Sequence, residues 1–107
     1  MAKYLFEVDY SVEGSKGLLK EGGTKRRASV VAALKSVGGK LEAFYFTFGV
    51  RDAILICDLP DYASAVALSL TVSASGSVAF KTTPLITCEE VDAASKKTVG
   101  YRAPGTK

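Results

Sequence analysis

Residues 40–59 constrain the fold more than any other stretch. Two apolar segments, KLEAFYFTF at 40–48 and DAILICDL at 52–59, flank Gly49-Val50-Arg51-Asp52. Each alternates with a period of two, and a short connection containing glycine predicts that they pair as a β-hairpin. In the first, Phe44, Phe46 and Phe48 are expected on one side and Leu41, Ala43, Tyr45 and Thr47 on the other. In the second, Ile54 and Ile56 oppose Ala53, Leu55 and Cys57. Both faces are therefore apolar, whereas helices packed on such a sheet cover only one. The other face, with Leu5, Tyr45, Ala79 and either Leu55 or Ile56, needs a second cover. A second copy of the sheet is the simplest one, burying on the order of 800 Å² per partner; the alternative is a monomer whose open face is merely amphipathic or covered by the C-terminal helix.

The remaining elements follow from period and capping. Lys3–Tyr10 alternates, with Tyr4, Phe6, Val8 and Tyr10 facing the core. Ser11 caps a helix running to Lys20, in which Gly14 and Gly17 each cost about 1 kcal/mol relative to alanine. Gly22-Gly23 interrupts it, and a second helix runs from Thr24 to Val37, ended by Gly38-Gly39. After the hairpin, Pro60 stops the strand and Asp61 caps a third helix that Gly76 closes. Ser77–Thr83 reads as a fourth strand, with Pro84 suited to an edge or a strand end. Thr87-Cys88-Glu89-Glu90 forms a capping box, so a last helix is expected to about Lys97. The order βαββαβ plus a C-terminal helix predicts one ferredoxin-like α+β domain over residues 1–107. Right-handed crossovers place the fourth strand beside the first, then the third, then the second.

Composition removes several functions. The 107 residues contain no histidine, which deprives the chain of the commonest general base near neutral pH and the commonest metal ligand. Cys57 and Cys88 lack the spacing of a zinc knuckle or a redox pair, so no metal and no cofactor are expected. A formal net charge of +3, with acids and bases interspersed, does not point to nucleic acid. No segment approaches the ~20 apolar residues of a membrane span. Glu7 arrives too early for a secretory apolar region, and a cytoplasmic location is the expectation.

Two groups of residues are candidates for binding. Glu7 and Asp9 on the first strand share the non-helix face with Lys81 on its expected neighbour; with Tyr45, Thr47 and Thr83 they make a polar cluster on an apolar sheet. The cluster is read as a cross-strand ion pair that fixes dimer register or as a small-ligand pocket, and a desolvated lysine or carboxylate there would suit acid–base work. The second group, Gly22, Gly23, Thr24, Lys25, Arg26 and Arg27, opens a helix whose free N–H groups and basic residues favour an anionic ligand. It lacks the full phosphate-loop pattern. Asp52 and Asp58 read as turn and loop residues.

The segment KGLLKEGG followed after three residues by Arg27, the Phe48-Gly49 turn with Asp52, the run Asp58-Leu59-Pro60-Asp61 and Lys81-Thr82-Thr83 together resemble the GYD domain family, over about residues 3 to 102. The family's Gly, Tyr, Asp pattern is met by Gly49 and Asp52, with Arg51 where tyrosine is typical. The resemblance implies a ferredoxin-like dimeric α/β barrel; kinship at the level of fold assigns no chemistry. The resulting reading is a self-associating domain, a homodimer or higher oligomer, that binds a small molecule or serves as a structural module. The alternative is a cofactor-independent enzyme of the barrel type, with Lys81, Glu7 or Tyr45 as acid or base.

Overall fold

A computed structural model describes residues 1–47 and 49–106; Phe48 and Lys107 lie outside the described residues, and with Phe48 one of the expected hairpin positions. The chain runs β1 (Ala2–Tyr10), α1 (Val12–Glu21), α2 (Gly23–Ser36), β2 (Lys40–Phe46), β3 (Ala53–Leu59), α3 (Tyr62–Ala74), β4 (Val78–Leu85) and α4 (Cys88–Ser95). The strands form one antiparallel sheet in the order β2-β3-β1-β4, as the crossover argument requires. The architecture is α+β and consistent with the ferredoxin-like expectation.

Local chemistry sets the boundaries. The Ser11 hydroxyl accepts from the Gly14 N–H at 3.1 Å, Asp61 from the Ser64 N–H at 2.8 Å, and Thr87 and Glu90 complete a reciprocal capping box. Gly22, at φ +82°, ends α1 by donating to the Leu18 carbonyl and starts α2 by accepting from the Arg26 N–H. Gly14 has a separate reason to lack a side chain: a Cβ there would overlap the Ser77 carbonyl oxygen, where the turn into β4 passes against α1. Pro84 is accommodated inside β4, opposite Tyr4, because β4 is an edge strand.

The core lies between the helices and one face of the sheet. Tyr4, Phe6 and Val8 from β1, Ala53, Leu55, Cys57 and Leu59 from β3, and Val78 from β4 pack against Leu34 of α2 and Ala65 and Leu68 of α3. The Phe6 and Phe80 rings stack at 5.0 Å between centroids. Leu55 belongs to this buried side, so of the two isoleucine-strand candidates for the open face it is Ile56 that lies there. A β-bulge between Leu41 and Ala43 changes another expectation: Leu41 pairs with Cys57 and packs on the core, while Ala43 and Tyr45 pair with Ile56 and Ile54 on the opposite face.

The C-terminal part extends away from this body. Every residue from Ile86 to Thr106 is exposed and α4 buries none of its residues, so α4 does not cover the open face of the sheet. The radius of gyration is 17.5 Å, against about 13 Å for a compact chain of this length.

Candidate functional site

The strand alternation places Leu5, Glu7 and Asp9 of β1, Ala43 and Tyr45 of β2, Ile54 and Ile56 of β3, and Ala79, Lys81 and Thr83 of β4 on the face away from the helices. Its middle is apolar. Leu5 lies between Ile56 and Thr83, Ile54 between Glu7 and Tyr45, and the Tyr45 side is 66% exposed. Five of the expected cluster residues thus share neighbouring rows: Glu7 stands directly opposite Lys81 and one strand away from Tyr45 across Ile54, Leu5 stands opposite Thr83, and Asp9 opposite Ala79. Thr47 serves the turn instead, donating its backbone N–H to the Asp52 carbonyl at 2.9 Å and its hydroxyl to the Arg51 carbonyl.

Ion pairs bracket the apolar middle. At one end Arg51 reaches back from the hairpin turn, its Nη1 2.7 Å from Asp9 and its Nε 3.3 Å from Glu7. The Asp9 carboxylate, and then Glu7, hold the guanidinium above its ordinary pKa. At the other end Lys3 bonds Glu42 at 2.6 Å and Asp58 at 3.0 Å, and these two, Glu42 first, raise its pKa in the same way. Lys40 stands opposite Asp58 in the register. The turn itself is pinned to β1, with the Asp52 carboxylate accepting from the Tyr10 N–H at 2.9 Å and the Asp52 N–H donating to the Val8 carbonyl at 3.0 Å. Asp52 is therefore a turn residue, as its position in the sequence suggests.

The basic bend distributes its residues in different directions. Thr24, Lys25 and Arg27 are exposed, and Gly22 and Gly23 form the junction of the two helices with no side-chain cap. Arg26 turns inward, its guanidinium carbon 5.8 Å from the centre of the Tyr10 ring. Arg27 lies by Phe44 and Phe46 on one side and by Val31 and Leu41 on the other.

Sequence reasoning missed Arg51 and Lys3 as the cations of the open face. The available signal was positional: Lys3 shares the period-two side of Glu7 and Asp9, and a long side chain two residues past the hairpin glycine lies within reach of the neighbouring strand's end. Among the described residues no three His, Cys, Asp or Glu side chains gather as a metal group. No helix is long and apolar enough to cross a membrane. A family model described as the GYD domain matches residues 4–95 of the chain. Neither curated proteins nor solved structures give a match.

Proposed function

The chain belongs to the GYD domain family, and on that premise we propose that it is a self-associating α+β module whose open sheet face packs against the same face of a second copy. The carrying observation is that face: Leu5, Ala43, Ile54, Ile56 and Tyr45 make an apolar field that neither the long helices nor α4 covers. Its charges are balanced, with Lys3, Lys40, Arg51 and Lys81 set against Glu7, Asp9, Glu42 and Asp58. The chain as a whole carries +3, whereas this face carries no net charge, so two copies meeting on it add no like-charge repulsion from the face itself. A two-fold axis through the apolar middle brings like rows together with opposite ends exchanged, and the Arg51 and Lys3 networks then rim the contact. The exposed Ile86, Val91, Val99 and Tyr101 of the projecting C-terminal part supply further apolar surface for the same association.

Lys81 is exposed at the edge of the sheet. Sedimentation equilibrium at low micromolar concentration tests the proposal. A dimer for the native chain and a monomer for Tyr45→Asp are expected; a native monomer, or a variant that sediments unchanged, overturns it.

A further inference from the structure

On the opposite side of the sheet, between the strands and the helices, lies a cavity of about 100 Å³. Phe6 and Phe80 from the sheet, Val30 from α2, and Leu68 and Val72 from α3 make its walls, so it is apolar almost throughout. One charged residue joins them. Arg26 lines the same cavity, and its Nε is buried with no hydrogen-bond partner. No carboxylate of the described residues lies within ion-pair distance of Arg26, whose guanidinium rests on the Tyr10 ring instead. The other hydrophilic side chain of α2 at the cavity, Ser29, donates its hydroxyl proton to the Lys25 carbonyl.

A buried N–H without an acceptor is costly, and in a native fold it calls for a partner. Here the missing partner is an anion, because the group is a guanidinium and this cavity offers it only hydrocarbon and an aromatic face; Glu13 and Glu21 line the pocket on the other side of Arg26 but stay beyond ion-pair distance. Guanidinium forks match carboxylates in geometry. The space beside it sets the rest of the ligand: an apolar cavity of about 150 Å³ holds the six carbons of a benzene ring, so one a third smaller takes a hydrocarbon body of roughly four or five carbons. We infer that the cavity between the sheet and α2 and α3 is a binding site for a compact apolar monocarboxylate, with Arg26 holding the carboxylate and Phe6, Phe80 and Val72 enclosing the hydrocarbon. The site is independent of the open face, so it is tested whether or not the chain pairs.

Hexanoate, with hexanol as its uncharged counterpart, is the probe, followed by amide chemical-shift titration of the full chain. Hexanoate is expected to shift the amides of Phe6, Val72 and Phe80, and to bind about 10- to 100-fold more tightly than hexanol. Arg26→Gln removes that preference and leaves hexanol binding as it was, whereas Val72→Phe fills the cavity and weakens both. Should a variant fail to fold, the native comparison of the two probes still decides. Shifts confined to other surfaces, equal affinity for hexanoate and hexanol, or a preference that survives Arg26→Gln overturn the inference.

Discussion

The two faces of the sheet each carry apolar side chains from β1 and β3 but differ in how these are closed. On the helix side Phe6, Ala53, Cys57 and Leu59 have no accessible surface, while on the other side Leu5, Ile54 and Ile56 of the same strands remain half-buried. The chemistry of the two sets is similar. What differs is connectivity: the crossovers β1-α1-α2-β2 and β3-α3-β4 bring helices back to one face, and the same handedness keeps them off the other. The closed face therefore stabilises the fold of a single chain, and the open face holds apolar area still available for association.

The largest expected effect breaks this comparison if it fails to appear. Phe6→Ala removes a fully buried ring stacked on Phe80 and is expected to cost about 3–5 kcal/mol. Ile56→Ala, on the other face of the same pair of strands, is expected to cost about 1 kcal/mol in a single chain. Urea unfolding read by circular dichroism measures both. Equal losses at concentrations where the chain is monomeric mean that the open face is already packed within one molecule. A loss for Ile56→Ala that grows with protein concentration places the missing contacts in the second copy.

Much of this asymmetry was legible in the sequence, for identifiable physical reasons. Alternation in Lys3–Tyr10 and Ala53–Leu59 assigned the two faces because a strand has only two sides, and Ser11, Asp61 and Thr87 marked helix starts through their caps. Leu41 was misplaced because a bulge adds one residue and reverses the parity of everything before it, and no residue type in Leu41-Glu42-Ala43 demands a bulge. The charged rim was only half legible. Glu7 and Lys81 are neighbours as the strand order required, but Arg51 outcompetes Lys81 for the acids because the turn that Asp52 pins to β1 delivers a forked guanidinium to both carboxylates. In the bend, consecutive arginines diverge because one helical step turns them about 100° apart. Arg26 faces the sheet and Arg27 the rim of β2.

Arg51 gives a sharper, smaller test. Without it Glu7 and Asp9 lie on one side of β1, two residues apart, with no cation held between them. Arg51→Gln is expected to lower the melting temperature by a few degrees at low salt. The sign of the salt response carries more information than the size of the drop. Added sodium chloride screens attraction in the native chain and repulsion in the variant, so the two melting temperatures converge as ionic strength rises. A gap that does not change with salt means that Arg51 acts through packing of its stem and not through charge.

The smallest effect concerns the two thiols, which report on the closed face and the projecting helix without disturbing either. Cys57 is buried in β3, and burial, followed by the neighbouring Asp58, pushes its pKa from the ordinary 9.0 to about 12. Cys88 is exposed in the first turn of α4. At pH 8 one equivalent of thiol is expected to react promptly with a disulfide reagent, and the second only as fast as the fold opens. The same shift predicts a stability slope. Because the folded value lies above the unfolded one, the unfolded chain gives up its proton first; the contribution is whole below about 9 and is lost as pH rises towards about 12. Cys57→Ala should remove that part of the alkaline slope while leaving prompt reaction at Cys88 intact. Prompt reaction of both thiols in the native chain has another meaning: β3 opens locally, so the helix-covered face is closed by a smaller margin than its burial implies, and the contrast between the two faces narrows accordingly.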